Sequence, residues 1–411
     1  MTSINNSTRI MEIINNEAND HKNGADKNYQ QQQTPPTLTN SIDRNNIYIN
    51  NDNESIANPL EISNLENVEI DSLDLERGTV RNNNINRKVT ITFKNVSFDL
   101  VKKKKQLNII RDINGTVAPG ELVGVFGPSG AGKTTLLDIL AKRKTTGEVS
   151  GSILINGSTV SHGYKKICSY VTQEDNLLPT LTVQETLRFY ADLRLPPTFS
   201  SQQKQERIKW VLEKIGLSQK ANSKVGGPLP GGVVLRGLSG GEKRRVNIGC
   251  GLVTMPSIII LDEPTSGLDS SSAMLVMESL IGLTKIDHVT VVCSIHQPRS
   301  EIYHLFSKVL VLGKGRLVYY GSEPVKHFID LGIPFPLETN PADYILDAVT
   351  KLTERGQINQ IADSLGEGYT QQVDSYLKIY NESTPPGKEN NIFNNTNHSN
   401  ICMDMIRQFY F

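Results

Sequence analysis

The sequence predicts a mixed α/β domain, and three observations lead to that class. First, a glycine-rich loop at residues 127–134 stands between a short apolar run, Leu122–Phe126, and a segment with helical periodicity at residues 135–141. Second, the aliphatic run Ile258–Leu261 has the composition of a strand that is buried on both faces of a parallel sheet. Third, β-branched and aromatic residues alternate roughly with polar ones over residues 89–100, which indicates antiparallel strands.

The glycine-rich loop has the spacing G-x-x-x-x-G-K-[ST], which is typical of loops that bind phosphates. Its glycines let successive backbone N–H groups converge on an anion, and the helix N-terminus that follows adds a partial positive charge. Lys133 would reach the β- and γ-phosphates of a nucleotide, and the Thr134 hydroxyl would bind Mg²⁺. The alternative is a strand-to-helix turn without a ligand. The predicted binding residues are Gly127, Pro128, Ser129, Gly130, Ala131, Gly132, Lys133, Thr134 and Thr135.

Two carboxylates, Asp262 and Glu263, follow directly on the aliphatic run Ile258–Leu261. Ligands of open α/β sheets bind at the carboxyl ends of such strands. Asp262 is expected to hold Mg²⁺, directly or through water, and Glu263 to accept a proton from a water that attacks the γ-phosphate. A lone Asp262 would also suit a turn or a helix cap, but the pair after a buried strand favours the catalytic interpretation.

Three shorter features complete the β-rich start of the domain. Two antiparallel strands are expected at residues 89–93 and 96–100, and Asn114 with Gly115 predicts a turn. The lysine run at residues 102–105 is interpreted as an exposed hairpin tip rather than a binding patch.

A helical block is predicted between the polar residue Gln173, which ends a strand, and an irregular loop at residues 226–232. Thr182 and Glu185 have the spacing of a capping box at the start of the first helix, and a second helix is expected over residues 203–215. The strand that ends at Gln173 places this amide at the same kind of edge as the two carboxylates.

Composition and hydropathy exclude several classes of protein. Lysine plus arginine and aspartate plus glutamate both count 43 residues, so no net charge favours nucleic acid as a partner. No basic start followed by an apolar block marks a signal peptide, and no apolar run approaches the roughly 20 residues of a membrane helix. We therefore expect the chain as given to be soluble and cytosolic.

The ends of the chain differ in composition from its middle. Residues 1–88 are rich in asparagine and poor in large apolar side chains, which predicts a disordered N-terminal region. An ordered domain is expected over residues 89–350. Beyond Gly366 the sequence turns polar again, so residues 351–411 are interpreted as a helical and polar linker.

Six motifs stand in the order and approximate spacing of an ATP-binding-cassette (ABC) ATPase, and residues 89–350 resemble that family. They are the phosphate loop, Gln173, residues 238–242, the strand with Asp262 and Glu263, residues 267–269, and His296. The resemblance implies the ABC ATPase fold, which has a phosphate-loop NTPase core with a mixed sheet, an antiparallel β-subdomain and a helical subdomain that carries the signature. It also implies ATP and Mg²⁺ as cofactors, ATP hydrolysis as the activity, and a second cassette as the partner.

The resemblance assigns a role to each matching residue. Gln173 would touch both Mg²⁺ and the attacking water, joining Thr134 and Asp262 around the metal. Glu263 would be the catalytic base, and His296 would contact the γ-phosphate, although a lone His296 would more often be a packed histidine at a strand end. The signature would close over ATP bound to the other cassette, and Asp269 would be the aspartate of the loop beside it. The signature residues are Ser239, Gly240, Gly241 and Glu242.

Residues 340–347, with the residues that follow the signature, resemble subfamily G, the white-pigment and multidrug half-transporters. In that subfamily the cassette precedes a linker and six membrane helices. The resemblance implies a homo- or heterodimer of cassettes that powers transport, probably export, on the cytoplasmic side of a membrane, with the membrane domain in another chain or missing from this one. Two alternatives are a soluble ABC ATPase without a transport role and an inactive nucleotide-binding remnant. Leu100 occupies the position of the usual adenine-stacking aromatic, and the nearby Phe98 would then be a core residue.

Overall fold

A ten-stranded mixed sheet organises the part of the chain that the structure describes. The structure is a computed structural model, and it describes residues 88–102, 105–160, 163–336 and 339–383. The N-terminal region for which the sequence predicts disorder lies outside these residues, apart from Lys88, and so does the polar segment from residue 384 onward.

The strands are β1 (Ile91–Lys102), β2 (Lys105–Val117), β3 (Leu122–Phe126), β4 (Glu148–Ile155), β5 (Ser158–Thr159), β6 (Cys168–Val171), β7 (Gly227–Pro228), β8 (Val234–Leu235), β9 (Ile258–Leu261), β10 (Thr290–Ser294), β11 (Lys308–Gly313) and β12 (Arg316–Gly321). The helices are α1 (Lys133–Leu140), α2 (Tyr164–Ile167), α3 (Val183–Arg194), α4 (Ser201–Lys214), α5 (Gly240–Leu252), α6 (Ser270–Asp287), α7 (Ser300–Tyr303), α8 (Pro324–Asp330), α9 (Pro341–Glu354) and α10 (Ile358–Ser383), with a short 3-10 helix at Ser218–Lys220.

One half of the sheet is parallel, and its strands lie in the order β11-β3-β10-β9-β6. Every residue of β3, β9 and β10 is buried, as the aliphatic composition of these strands predicts for a sheet covered by helices on both faces. The carboxyl ends of the parallel strands therefore meet at one edge, where polar side chains reach solvent.

The other half is antiparallel and contains β2, β1, β4 and β5, while β12 joins the two halves. In β1 and β2 the last register pair joins Lys102 to Lys105, and the tip of the predicted hairpin, residues 103 and 104, lies outside the described residues. The predicted fold class, a mixed core sheet with an antiparallel β-subdomain and a helical subdomain, is thus confirmed.

Two expectations for the β-subdomain are wrong. Residues 89–100 do not form two strands that pair with each other, because β1 continues through an irregularity between Phe93 and Val96, where Asn95 adopts φ 50°. Asn114 and Gly115 do not form a turn but lie inside β2. The Asn114 carboxamide oxygen accepts a hydrogen bond from Asn95 N at 2.8 Å, and Gly115 leaves room for the Phe93 ring. Asn114 and Gly115, although typical of turns, therefore accommodate the bulge at Asn95 in the paired strand β1.

The helical block consists of α3, α4 and α5, and the first two begin with capping boxes. The Thr182 hydroxyl accepts a hydrogen bond from Glu185 N, as the spacing predicts. Leu187, Val211 and Ile215 are buried and belong to one apolar core beneath the signature helix. The loop at residues 226–232 is less irregular than expected, because β7 pairs with β8 in a two-stranded ribbon.

Residues 351–411 are interpreted from the sequence as a helical and polar linker, and most of the described part of this segment is helical. Helix α10 continues through Ser383 and packs on the β-subdomain, because one stripe of its side chains makes specific contacts. Tyr369 Oη accepts a hydrogen bond from Tyr320 N at 2.7 Å, and Tyr376 Oη donates to Thr90 Oγ1 at 2.9 Å. None of the helices in the described part of the chain combines the length and apolar character that crossing a membrane requires.

Candidate functional site

Four neighbouring parallel strands, β3, β10, β9 and β6, end at the same edge of the sheet, and a predicted site segment follows each one. The glycine-rich loop follows β3 and Gln173 follows β6. Asp262 and Glu263 follow β9, and His296 follows β10. Residues that are up to 169 positions apart in the sequence are thus collected in one region, which is where open α/β sheets bind their ligands.

The glycine-rich loop has a backbone that only glycine tolerates at two points. Gly127 adopts φ 150°, and a Cβ atom there would lie 2.4 Å from Leu312 O. Gly132, the residue before α1, adopts φ 98°, and its Cβ would lie 2.7 Å from Ile110 Cγ2. Gly130 faces open space, as a loop that receives a ligand requires. Lys133, Thr134 and Thr135 then begin α1, so the loop leads directly into a helix N-terminus.

Lys133 is 7% exposed, and its ammonium group lies against the backbone of the glycine-rich loop. Its Nζ donates hydrogen bonds to Gly127 O at 2.7 Å and Pro128 O at 3.2 Å. Burial lowers the pKa of this amine from its ordinary value, while the charges of Glu263 and Asp262 act to raise it. Phosphate oxygens at the mouth of the loop would supply the negative charge that favours the ammonium form.

Asp262 is 5% exposed and accepts two hydrogen bonds on the same carboxylate oxygen. Thr134 Oγ1 donates to Asp262 Oδ1 at 3.2 Å, and Ser294 Oγ donates to it at 2.6 Å. The Thr134 hydroxyl and the Asp262 carboxylate are hard oxygen donors at one spot beside the phosphate loop. Mg²⁺ prefers such donors and keeps positions for water and phosphate, so these two residues fit that metal. The amide of Gln173, the third predicted ligand, is hydrogen-bonded to Glu263 instead.

Glu263 stands at the wall of an open cleft with a volume of about 480 Å³. The cleft is lined by Ser129, Glu263, Thr265, Ser266, Gly267 and His296. Gln173 Nε2 donates a hydrogen bond to Glu263 Oε2 at 2.9 Å, which fixes the carboxylate from the side of β6. His296 is exposed on the side of β10. The cleft therefore places a carboxylate base, an imidazole and a residue of the phosphate loop around one space.

Sequence reasoning missed Ser294, the last residue of β10. This serine is fully buried, and its hydroxyl donates to Asp262 while it accepts from Glu263 N at 2.8 Å. Glu263 adopts φ 45°, a left-handed conformation that is unusual for a residue with a side chain and that the bond to Ser294 helps to hold. A polar residue that ends an apolar strand was the available signal, and the same signal identified Gln173.

Substitution of Ser294 by alanine is expected to lower the rate of ATP hydrolysis about tenfold, because the Asp262 carboxylate and the Glu263 backbone each lose a partner. We also expect the free energy of unfolding to fall by about 1–3 kcal/mol, since a buried backbone N–H is left unpaired. Steady-state ATPase assays and urea unfolding measure the two effects. Ser279→Ala is a matched control, because that hydroxyl donates only to Leu275 O of its own helix. Equal rates for the two variants would contradict this role.

The predicted signature residues lie outside the cleft, at the start of α5. Ser239 is the N-cap of this helix, and it forms a capping box with Glu242. Glu242 Oε2 accepts a hydrogen bond from Ser239 N at 2.9 Å, so this carboxylate is engaged within the helix start. Ser239 and Gly240 are exposed, whereas Gly241 is buried against Ser272. Ser239 and Gly240 therefore present an exposed surface that does not belong to the cleft lining.

Asp269 is the N-cap of α6, and its carboxylate accepts a hydrogen bond from Ser272 N at 3.0 Å. Hydrogen bonds from Ser272 lower the pKa of Asp269, so it is ionised at neutral pH. Near the β-subdomain, Phe98 is 2% exposed and belongs to the core. Leu100 is half-buried and pairs across the strands with Leu107, so an aliphatic pair stands where an aromatic residue was expected.

Comparison with known proteins places this site in a family. Residues 110–266 match the family model described as ABC transporter. The chain is 62% identical over 289 residues to ABC transporter G family member 22 of Dictyostelium discoideum, and the match covers 70% of this chain and 47% of the relative. It is 53% identical over 277 residues to G family member 12 of the same organism, with 67% and 41% covered. For G family member 14 of Arabidopsis thaliana the identity is 41% over 285 residues, with 67% and 43% covered.

Among solved structures, a dimeric bacterial ABC transporter cassette is similar at 26% identity with a TM-score of 0.47, and the match covers 56% of this chain and 98% of that one. A cassette dimer in a post-hydrolysis state with ADP and Pi is similar at 27% identity with a TM-score of 0.46, with the same coverage.

The phosphate loop, the strand-end carboxylates and the family match define this domain as an ABC-type ATPase cassette, which binds ATP. The chain belongs to subfamily G of the ABC transporters. It spans about half the length of the curated relatives that it matches, or somewhat less. The resemblance to subfamily G that the sequence motifs indicated is confirmed.

Proposed function

We propose that the chain binds Mg·ATP in this cleft and hydrolyses it, and that the hydrolysis powers transport across a membrane. The observation that carries the proposal is the convergence of four strand ends at one sheet edge, where Glu263 and His296 line the cleft and the buried Lys133 and Asp262 follow two of these strands. In this proposal the N–H groups of the glycine-rich loop and the Lys133 ammonium bind the β- and γ-phosphates.

The proposed mechanism uses the residues around the cleft in distinct roles. Mg²⁺, when bound, neutralises phosphate charge, and Thr134 and Asp262 would hold it together with Gln173 or a water on that amide. Glu263 accepts the proton of the attacking water, since its carboxylate faces the cleft and Gln173 fixes its orientation. His296, which also lines the cleft, donates a hydrogen bond to the γ-phosphate. The water would reach phosphorus in line with the leaving ADP.

The signature residues support a dimer in which ATP lies between two cassettes. Ser239 and Gly240 are exposed at the N-terminus of a thirteen-residue helix and stand outside the cleft of their own chain. A helix N-terminus favours an anion, so the γ-phosphate held by a partner cassette is a suitable ligand for this surface. Asp269, beside it, would contact the partner cassette. The dimer would be a homodimer or a heterodimer of subfamily G cassettes.

Transport requires a membrane domain, and we propose that a subfamily G membrane domain supplies it, either from another chain or from a continuation of this one. Helix α10 packs on the β-subdomain and leads toward residue 411. We propose residues 89–350 as the nucleotide-binding domain and residues 351–411 as the connection, with α10 as its folded first part. The cassette would then lie on the cytoplasmic side of the membrane, and export is the proposed direction.

The first test is ATP hydrolysis by the full-length chain with Mg²⁺, compared with the same protein after chelation of Mg²⁺. We expect turnover on the order of 1 s⁻¹ with the metal and a loss of at least about a hundredfold without it. If the chain binds no ATP, the proposal is wrong, and the alternative of an inactive remnant of a nucleotide-binding domain is favoured. Intact Lys133, Glu263 and His296 argue against that alternative.

A second readout separates a transporter cassette from a soluble ABC ATPase. Co-expression with a chain that carries a subfamily G membrane domain should bring this cassette into the membrane fraction. If the cassette hydrolyses ATP but never associates with such membranes, the alternative of a soluble ATPase is favoured. This experiment tests whether the cassette associates with the membrane domain. Deletion of residues 384–411 would show whether the proposed connection contributes to that association.

A further inference from the structure

Arg244 lies in α5, the helix that begins with the signature residues, and its side chain is 3% exposed. A fully buried guanidinium stays charged, so it must be compensated by acceptors inside the protein. The following residue in the helix, Arg245, is only half-buried and points toward a different part of the molecule. Arg244 and Arg245 therefore contact different parts of the molecule, although they are adjacent in the helix.

The Arg244 guanidinium is bonded to two loops that both belong to the proposed hydrolytic site. Its Nη1 donates to Thr172 O at 2.6 Å, Gln173 O at 2.9 Å and Asp175 Oδ1 at 3.0 Å; its Nη2 donates to Asp262 O at 2.8 Å and Glu263 O at 3.1 Å; its Nε donates to Pro264 O at 3.2 Å. One set of acceptors is the loop of Gln173, and the other is the loop of Asp262 and Glu263. The planar fork of the guanidinium spans the gap between them.

A second side chain of α5 contacts the same region. Asn247 Nδ2 donates to Asp175 Oδ1 at 2.8 Å, so Asp175 joins two residues that lie nearly one helical turn apart. The side chains of Arg244 and Asn247 therefore bond the signature helix to the Gln173 loop. Of these two residues, Arg244 alone also donates to the backbone carbonyls of Asp262 and Glu263.

We propose that Arg244 is a positioning residue that couples the signature helix to the hydrolytic centre of its own chain. It holds the Gln173 loop and the Glu263 loop at a fixed separation. This separation sets the hydrogen bond between the side chains of Gln173 and Glu263. When the signature engages ATP on the partner cassette, α5 shifts, and Arg244 transmits the shift to both loops together. This inference rests on the proposed function, because the two loops form its site.

Amide hydrogen exchange of the full-length, nucleotide-free chain tests the coupling without any reliance on catalysis. In Arg244→Lys, the ammonium cannot span both loops, so amides of residues 172–178 and 262–268 should exchange about tenfold faster or more. Arg245→Lys is the matched control, since Arg245 Nη1 bonds only to Ile215 O and Gly216 O in the helical block, and it should leave both segments unchanged. Unchanged exchange in Arg244→Lys would overturn the proposal.

Asp175→Asn provides a second variant that keeps every backbone contact of Arg244. This change removes the ion pair between Arg244 and Asp175, which belongs to the Gln173 loop. Amide exchange should therefore rise over residues 172–178 and not over residues 262–268. A uniform rise over the whole domain in Arg244→Lys, without this selective pattern in Asp175→Asn, would show that Arg244 merely stabilises the fold and would overturn the coupling.

Kinetics give the readout that a purely structural role would not move. For Arg244→Lys we expect kcat to fall about a hundredfold while KM for ATP stays within about threefold, because the phosphate loop is untouched and Glu263 is misplaced. Arg245→Lys should keep kcat within about twofold. Equal kcat for the two variants would overturn the positioning role. If the wild-type chain binds no ATP, the proposed function fails, and the exchange pattern still decides the coupling.

Discussion

Replacement of Glu263 by glutamine is expected to abolish ATP hydrolysis and to leave ATP binding intact. The amide has the size of the carboxylate but cannot accept the proton of the attacking water, so kcat should fall by about 10²–10⁴. Lys133, Thr134 and Asp262 are unchanged, and ATP should therefore bind as before. Because bound ATP is no longer consumed, the variant should accumulate as an ATP-bound dimer, which single-turnover assays and mass measurement by light scattering detect together.

Glu278→Gln is the control for this experiment, since Glu278 is an exposed glutamate on α6 and lies outside the cleft. It should hydrolyse ATP at the wild-type rate and show no ATP-dependent dimer beyond the wild-type amount. Persistent hydrolysis by Glu263→Gln would assign the base to another residue. Loss of ATP binding in the same variant would instead mean that Glu263 supports the structure of the cleft.

Most of the candidate site could be predicted because each of its segments lies at or within two residues of a strand end. The glycine-rich loop, Gln173 and the pair Asp262 and Glu263 all terminate apolar runs, and the edge of a parallel sheet collects such ends. A local pattern was therefore enough to assign residues that are far apart in the chain. The glycine-rich loop needed only its own spacing and its flanking elements.

Ser294 and Arg244 could not be predicted in the same way, because they act through contacts across long sequence separations. Ser294 reaches Asp262 across 32 positions, and Arg244 reaches Thr172 across 72. Five of the six acceptors of Arg244 are backbone carbonyls, which every residue possesses and which leave no trace in the sequence. Only the three-dimensional arrangement shows that this arginine differs from its neighbour Arg245.

The wrong expectations have a related cause. Asn114 with Gly115 has the composition of a turn, but strand pairing and the bulge at Asn95 determine its conformation. Beyond Gly366, the described part of the predicted helical and polar linker is a helix in which Val373 is buried and Tyr369 accepts a hydrogen bond from Tyr320 N. Local propensity failed at Asn114 and Gly115 because tertiary contacts decided the conformation.

Mixing two inactive variants should restore ATP binding between cassettes if the dimer has the proposed sandwich form. Lys133→Met removes the ammonium that would bind the β- and γ-phosphates, so its own phosphate loop should lose at least about a hundredfold in ATP affinity. Gly240→Asp places a carboxylate on the signature, where it would repel the γ-phosphate of the partner's ATP. The fold should tolerate this change, because the nearest atom to a Cβ at Gly240 is Leu268 Cδ2 at 3.4 Å and an acidic residue suits the first turn of a helix.

Each variant alone would form dimers in which both composite sites contain a defect. In a mixed dimer, one site combines both defects, whereas the other combines the intact phosphate loop of Gly240→Asp with the intact signature of Lys133→Met. Since a twofold dimer has two equivalent sites and random mixing makes half the dimers mixed, about one quarter of the wild-type sites should be restored. Carrying Glu263→Gln in both chains lets retained ATP be counted after gel filtration, independently of turnover. No retained ATP above that of the separate variants would exclude the sandwich, because each intact element would then have failed to serve its partner.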